Sequence, residues 1–261
     1  MTQTGGKAGS GRKKLPFINK SFFEIGAAMR PAIDRMIMRG SLLPDRAILD
    51  PAALPWIARL EEHWAEIRDE AVAIRAREIP ALGDISPDHG RIAADRRWRS
   101  FFLEGYGYRR AENCARVPRT MALLDTVPGL VTACFSVLEA GAHIPRHYGM
   151  TKGMLTFHLA LVVPKDEAGC HIDIEAPEGR HVVCWREGAS LLFDDTYNHE
   201  VWNDTPEDRY VLLLQVRRPC RGLARSMQGL FLRAVSHTRF VQDIRHRLDA
   251  LKTGIGGELG R

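Results

Sequence analysis

The chain of 261 residues contains no apolar run as long as the roughly 18 to 20 residues that a membrane-spanning helix needs. Its five cysteines are odd in number and form no C-x-x-C pair, which argues against a disulfide framework. The basic N-terminal segment is not followed by the apolar stretch of a secretory signal. We therefore expect a cytoplasmic protein whose thiols are reduced.

The formal net charge of +5 is distributed unevenly along the chain. Residues 1–40 carry eight Lys/Arg against two Asp/Glu, residues 217–261 carry ten against three, and the intervening residues 41–216 have a net charge of −8. An acidic middle argues against a nucleic-acid-binding protein, which is usually basic throughout its binding domain. Basic ends with interleaved apolar residues favour contact with an anionic surface, so we expect a peripheral position on the inner leaflet of the cytoplasmic membrane.

The N-terminal third is predicted to be helical after a short basic tail. Residues 1–20 are expected to be disordered, because they offer little to bury, and residues 21–97 to form a helical layer. Within this layer, Pro31 is expected to kink or split a first helix. Residues 54–77 repeat apolar residues at steps of three and four, which predicts a second, amphipathic helix.

Residues 98–219 have a different pattern. Short segments rich in Val, Leu, Phe and Tyr are separated by Gly, Pro, Asp and Asn at roughly 8- to 14-residue intervals, which is typical of an antiparallel sandwich or a double-stranded β-helix. Residues 109–127 are expected to insert a helix before the main run of strands. Residues 220–261 return to a basic amphipathic helix and tail. The predicted fold is therefore mainly β with flanking helices, around a jelly-roll, cupin-like core.

Candidate metal ligands come from two distant segments. "GAHIPRHYGMTKGMLTFHLALVVP" places His143, His147 and His158 in half-buried β-structure, and His199 follows His147 by 52 residues, with Arg209 ten residues later. Neutral imidazoles are good ligands for Fe(II), and a buried guanidinium can hold a carboxylate in a bidentate fashion. This layout is typical of a non-heme iron, 2-oxoglutarate-dependent oxygenase, although each residue alone is also compatible with a satisfied core histidine or a structural ion pair.

The motifs around these residues resemble those of the aspartyl/asparaginyl β-hydroxylase family. The shared motifs are H-x-G, H-L-x-L-x-x-P, W-x-E-G, F-D-D, H-E-V-W and R with a following R-P, together with the upstream "WRSFFLEGYG" and "FSVLEAGAHIPRH". The resemblance covers roughly residues 54–219, and several motifs in one order are more specific than any single motif. It implies the same double-stranded β-helix fold that the strand pattern predicts.

The resemblance assigns roles residue by residue. It implies that His147 and His199 are the iron ligands, and that Arg209 and Ser136 bind the distal carboxylate of 2-oxoglutarate. It also implies that His158 lines the cosubstrate pocket. The implied cofactors are Fe(II), 2-oxoglutarate as cosubstrate, and dioxygen.

The sequence departs from the common oxygenase pattern at two positions. Gly149 stands where most such enzymes carry the carboxylate of a 2-His-1-carboxylate triad, and the resemblance implies that water takes this place. Thr156 stands where many relatives have Arg, which puts 2-oxoglutarate binding in question. Asp194 and Asp195 are interpreted as supporting residues rather than ligands, and His143 as part of the scaffold.

The resemblance implies a hydroxylase, and the motifs look most like its bacterial lipid-acting branch. An acyl chain of a membrane lipid, either ornithine lipid or lipid A, is therefore the first expectation for the substrate. An Asp or Asn residue in a peptide, or a free amino acid, is the alternative. Because Thr156 replaces an Arg, a non-catalytic β-helix binding module also remains open, and metal content would separate it from an enzyme.

Overall fold

The computed structural model describes residues 22–75, 78–86 and 96–255. The predicted disordered segment 1–20 lies outside these residues. The helices are α1 (Phe22–Arg39), α2 (Trp56–Glu62), α3 (Trp64–Val72), α4 (Leu82–Ile85), α5 (Ala111–Ala115), α6 (Pro118–Leu124), α7 (Gly222–Ser236) and α8 (Arg239–Ile255), with a 3₁₀ turn at Pro51–Ala53.

Eleven strands in the described part of the chain form two antiparallel sheets. They are β1 (Ile48–Leu49), β2 (Trp98–Gly105), β3 (Tyr108–Arg109), β4 (Leu130–Leu138), β5 (Ala142–His147), β6 (Met154–Val162), β7 (Cys170–Ala176), β8 (Gly179–Cys184), β9 (Ser190–Phe193), β10 (His199–Asn203) and β11 (Arg209–Arg217). The large sheet has the order β1-β9-β6-β11-β4-β2-β3, and the small sheet has the order β5-β10-β7-β8.

The large sheet separates two hydrophobic cores, because successive side chains of a strand point to opposite faces. Phe157, Leu159 and Leu161 of β6 pack in one core with the apolar stripe of the helical layer, which includes Ile57 and Ile67. Ala160 of β6 and Val211 of β11 instead pack in a second core, with inner residues of the small sheet such as Ile144, Ile172 and Val201. This second core is the interior of a two-sheet sandwich, and it is the interior that carries the candidate site.

The prediction of a mainly β, jelly-roll fold with flanking helices is confirmed. Some helix boundaries differ from the prediction. The helix expected over 54–77 is divided at His63, and the helix expected within residues 220–261 is divided at residues 237–238. Pro31 lies inside α1, which runs through it as one helix rather than two.

The helical insertion expected over 109–127 is present as α5 and α6. Among the described helices, none combines the length and the apolar character that crossing a bilayer requires. The division of the chain at residues 98 and 219 stays a prediction.

Candidate active site

Two strands of the small sheet bring the candidate ligands together. His147 ends β5 and His199 begins β10, and the antiparallel register pairs these two residues directly. Their ring centroids are 4.2 Å apart. The 51 residues between them therefore fold so that the two imidazoles are neighbours at one edge of the sandwich interior.

The backbone fixes the tautomer of both histidines. The Nδ1 atom of His147 lies 2.8 Å from the carbonyl oxygen of Pro145, and that of His199 lies 2.9 Å from the carbonyl oxygen of Tyr197. A carbonyl oxygen can only accept, so each Nδ1 carries the proton and donates it. The Nε2 atom of each ring is then the bare nitrogen that can bind a metal ion, in the usual arrangement for metal-binding histidines.

Both rings are neutral at physiological pH. Burial, with a smaller contribution from His199, lowers the pKa of His147 to about 4. Burial also lowers the pKa of His199, against the opposing effect of its hydrogen bond to Tyr197. Protonation therefore does not compete with metal binding near pH 7.

Aromatic rings surround the histidine pair. The ring of Phe193 meets His199 edge-on at 5.7 Å and His158 edge-on at 5.2 Å, so it lies beside both. The indole of Trp98 lies 6.4 Å from His147. These rings limit the access of water to the interior side of the pair.

The alternation of β6 and β11 directs a second group of side chains into the same interior. Thr156 and His158 share the inner face of β6 with Ala160, while Arg209 and Gln215 share the inner face of β11 with Val211. The pattern of two predicted β-strands therefore explains why His158 and Arg209 face the sandwich interior rather than the helical layer.

Arg209 is a buried cation without a hydrogen-bonding partner at two of its nitrogens. It is 1 % exposed, and its Nε and Nη1 atoms have no partner among the described residues. Its guanidinium lies over the indole of Trp185, 4.6 Å from the ring centroid. Burial lowers the pKa of Arg209 to about 10, so it remains charged at neutral pH. A buried, unpaired cation is costly, and a carboxylate ligand would remove that cost.

Ser136 and His158 lie beside this cation. Ser136 on β4 pairs with Val211, and therefore lies diagonally across from Arg209 on the same face. Its Oγ accepts a hydrogen bond from Nε1 of Trp98 at 3.0 Å, which leaves its own O–H available as a donor. The Nδ1 atom of His158 is buried and has no hydrogen-bond partner in the described part of the chain. Burial, with Arg209 as the second cause, lowers the pKa of His158 well below the ordinary value.

The two sequence departures meet at Asp195. The Oγ1 of Thr156 donates to Oδ2 of Asp195 at 2.9 Å, and Nε2 of Gln215 lies 3.4 Å from the same oxygen. A side chain at Gly149 would overlap the Asp195 carboxylate at its first carbon. Position 149 therefore cannot hold the carboxylate side chain of a conventional triad, because Asp195 occupies that space. Thr156 forms a hydrogen bond with the same Asp195.

The neighbouring carboxylate, Asp194, has a separate structural role. It is fully buried, accepts from Nη2 of Arg218 at 2.5 Å, and also lies 3.4 Å from Nζ of Lys152. His143 lies away from the candidate metal ligands, where its ring stacks on Trp202 at 3.5 Å. Both residues therefore have partners of their own outside the histidine pair.

The residues present fit an iron ion and an anionic cosubstrate. In the described ranges, no group of three or more His, Cys, Asp or Glu side chains is arranged to hold a metal ion, so the two histidines would be the protein ligands. They offer two bare imidazole nitrogens, and the unpaired guanidinium of Arg209 offers a carboxylate site in the same interior. Imidazole donors together with a carboxylate-bearing chelator suit Fe(II).

Sequence reasoning did not assign roles to Trp185 and Phe193. Trp185 was visible as the aromatic residue of the W-x-E-G motif, and Phe193 as the first residue of F-D-D. Their contacts with Arg209, His158 and His199 depend on strand register, which the motifs alone do not specify.

The chain is similar to several known proteins. A family model described as aspartyl/asparaginyl beta-hydroxylase matches residues 61–219. An ornithine lipid ester-linked acyl 2-hydroxylase from Rhizobium tropici is 34% identical over 243 residues, which cover 92% of this chain and 84% of that protein. The human aspartyl/asparaginyl beta-hydroxylase is 32% identical over 169 residues, or 62% of this chain, but the match covers only 21% of the human protein. A solved prolyl-4-hydroxylase from Pseudomonas putida is 17% identical, with a TM-score of 0.39 over 73% of this chain and 100% of that one.

Proposed function

This chain belongs to the aspartyl/asparaginyl β-hydroxylase family and is a hydroxylase, and we propose that it depends on Fe(II) and 2-oxoglutarate and acts on an ester-linked acyl chain of ornithine lipid. The observation that carries the chemistry is the pair of adjacent imidazoles, half-buried at His147 and buried at His199, each of which donates its Nδ1 proton to a carbonyl oxygen and leaves Nε2 for a metal ion. His147 and His199 are the proposed ligands.

The substrate class is supported by the extent of the similarity to the Rhizobium relative. That similarity includes the N-terminal helices and the C-terminal region, whereas the match to the human hydroxylase spans 62% of this chain. By analogy with the name of that relative, the proposed product carries its new hydroxyl at carbon 2 of the acyl chain, and lipid A is the second lipid to test.

Fe(II), 2-oxoglutarate and dioxygen together supply the oxidising chemistry, and succinate and carbon dioxide are the co-products. The residues of the chain bind and orient the reactants. Arg209 would pair with the distal carboxylate of the cosubstrate, Ser136 would donate its hydroxyl proton to the same group, and His158 would line the pocket beside them. Phe193 and the apolar interior would keep water from the reacting centre.

Succinate formation tests the proposal. Purified, Fe(II)-loaded protein is supplied with 2-oxoglutarate and ornithine lipid in detergent mixed micelles, and succinate and the lipid mass are followed together. We expect lipid-dependent succinate and an equal amount of lipid that has gained one oxygen atom. The His199→Ala variant should bind little iron and form neither product.

Two other results would point to other functions. Succinate formation that responds to peptides containing Asp or Asn, but not to lipid, would identify a β-hydroxylase of those residues. A protein that retains no iron and gives no turnover with any of these compounds would be a binding module.

A further inference from the structure

An open groove of about 540 Å³ lies next to the proposed metal ligands. This volume is within the range of pockets that bind small molecules. The groove is walled by α1, by Tyr148 directly after β5, by residues 175–177 at the end of β7 and in the turn after it, and by residues 196–198 before β10.

The groove is formed by the same chain segments that carry the histidines. Tyr148 directly follows His147, and Asn198 directly precedes His199. The backbone N–H of Glu175 donates to the carbonyl oxygen of Asn198 at 2.8 Å, which ties the far wall to the strand that carries His199. A molecule bound in the groove therefore contacts the immediate neighbours of both proposed ligands.

One wall of the groove presents an aromatic ring and a cation. Tyr148 is 61 % exposed and presents its ring to the groove. The guanidinium of Arg30 lies over this ring, 5.1 Å from its centroid. Nε of Arg30 donates to Oδ2 of Asp34 at 3.3 Å, while Oδ1 of Asp34 accepts from Thr151. Arg30 is thus held at the groove by an aspartate that is shared with another donor.

The opposite wall carries the other sign of charge. Glu175 is exposed there and forms an ion pair with Arg146. Pro177 and Tyr197 supply apolar surface between the charged groups. The groove therefore offers a cation, an anion and apolar surface within one site, a combination that suits a zwitterion attached to a hydrocarbon better than it suits a simple fatty chain.

We propose that this groove binds the amino-acid headgroup of the lipid substrate, with the headgroup carboxylate at Arg30 and its ammonium group toward Glu175. The inference rests on the proposed function. Carbon 2 of an ester-linked acyl chain adjoins the ester carbonyl, at the headgroup end of that chain. An enzyme that acts on this carbon needs a polar site beside the metal, and the hydrocarbon nearest the headgroup lies against Tyr148.

Changing Arg30 and the headgroup carboxylate, separately and together, tests whether the two groups pair. Wild-type protein and Arg30→Gln are compared on ornithine lipid and on its carboxyl methyl ester, both in mixed micelles. We expect esterification to raise the KM of the wild type about tenfold, which corresponds to the loss of one charge-assisted contact. Arg30→Gln should show a similarly raised KM on the free acid and little further change on the ester.

Matched variants separate the groove from general effects. Arg59→Gln removes an exposed arginine from α2, and Val182→Ala trims an exposed apolar side chain on β8, so both should keep the wild-type KM. Tyr148→Ala should raise the KM for both lipids. The Kd of 2-oxoglutarate, measured by calorimetry on Mn(II)-loaded protein, should be unchanged in Arg30→Gln and Tyr148→Ala.

The outcomes distinguish the two proposals. If esterification affects the wild type and Arg30→Gln equally while lipid-dependent turnover persists, the headgroup binds elsewhere and the groove assignment is wrong, although the enzyme is still a lipid hydroxylase. If wild-type turnover does not depend on lipid, the proposed function fails, and the assignment of the headgroup to this groove fails with it.

Discussion

At the scale of single residues, Arg209 raises the question of what holds an unpaired guanidinium in a buried pocket. The indole of Trp185 is 2 % exposed and lies under the guanidinium. A carboxylate in this place would neutralise Arg209 and compete with the cosubstrate. An aromatic face instead attracts the cation and leaves the donors on Nε and Nη1 free. At a desolvated site such a cation–π contact stabilises by about 2 kcal/mol.

Replacing Trp185 should therefore weaken the binding of 2-oxoglutarate. We expect Trp185→Leu to raise the Kd about tenfold or more, and Trp185→Phe, which keeps a ring, to recover most of the affinity. Calorimetry on Mn(II)-loaded protein measures this binding without turnover. Similar Kd values for the Leu and Phe variants would mean that Trp185 only fills space, and the thermal midpoint of each variant controls for loss of the fold.

Burial also changes the pKa of Asp195, and with it the pH dependence of stability. Burial raises the pKa of Asp195 to about 6, although the hydrogen bond from Thr156 partly opposes this effect. In the unfolded chain the carboxyl has an ordinary pKa near 3.9. Between about pH 4 and pH 6 the folded protein holds a proton that the unfolded chain has released, so a rise in pH through this window lowers the stability.

Asp195→Asn should abolish this contribution. We expect the metal-free variant to gain stability relative to the wild type as the pH rises from 4.5 to 7.5, by at most about 3 kcal/mol for a shift of two pKa units. Urea unfolding of both proteins at the two pH values measures the change, and other titrating groups cancel because both proteins contain them. A difference between the two proteins that does not vary with pH would contradict a raised pKa at Asp195.

The motifs predicted which residues converge, but not all of their contacts. His158 and Arg209 face the interior because strand alternation requires it, and this could be predicted from the sequence. Thr156 forms a hydrogen bond with Asp195, and Asp195 fills the space beside Gly149. Both contacts depend on how the segment before β10 folds back against the chain after β5. Residue spacing does not encode that approach.

At the scale of helices and strands, α1, which borders the groove, meets α7 in a close contact. The backbone N–H of Arg221 donates to the carbonyl oxygen of Gly40 at 2.9 Å, where the end of α1 meets the start of α7. A Cβ added at Gly40 would overlap Cβ of Ala224 and crowd the carbonyl oxygen of Arg221. Because α1 also carries Arg30 and Asp34, this contact influences the position of the groove.

Gly40→Ala should separate α1 from α7. We expect a loss of about 1 to 3 kcal/mol in the free energy of unfolding, as for other overpacked contacts. Ala224→Gly alone should cost about 1 kcal/mol through helix propensity. The double variant should be more stable than the sum of the single losses predicts, since it restores the space between the helices. If the losses in the free energy of unfolding, measured with urea, are additive, the side chains at positions 40 and 224 do not clash.

Helix breaks were the least predictable features of the fold. The apolar stripe of residues 54–77 continues through His63, so periodicity predicts one helix. His63 nevertheless leaves the helical conformation, and its Nδ1 lies 3.0 Å from Oε1 of Glu66 at the start of α3. This break leaves the spacing of the buried residues unchanged, so the apolar periodicity does not reveal it.

At the scale of the whole molecule, α7 has two contrasting sides. Ala224, Gln228 and Leu232 are buried, whereas Leu223 and Leu230 are 68 % and 69 % exposed and lie seven residues apart, on one face of the helix. The exposed Arg233 follows Leu230 by three residues and so lies on the same side of the helix, while the exposed Arg221 and Arg225 lie at its N-terminal end. Exposed leucines beside a cation suit an anionic lipid surface, and the proposed lipid substrate would require the enzyme to reach such a surface.

Adsorption to vesicles should therefore depend on both charge and apolar contact. We expect the protein to sediment with vesicles that contain phosphatidylglycerol and to bind far less to pure phosphatidylcholine. Raising the salt from 0.1 M to 1 M, which shortens the Debye length from about 10 Å to about 3 Å, should release most of it. The double variant Leu223→Ser, Leu230→Ser should bind severalfold less at 0.1 M salt, while Val182→Ser, an exposed apolar residue on β8, should bind like the wild type. Binding that neither salt nor the double variant reduces would mean that α7 does not face the membrane, and that the lipid reaches the groove from another side.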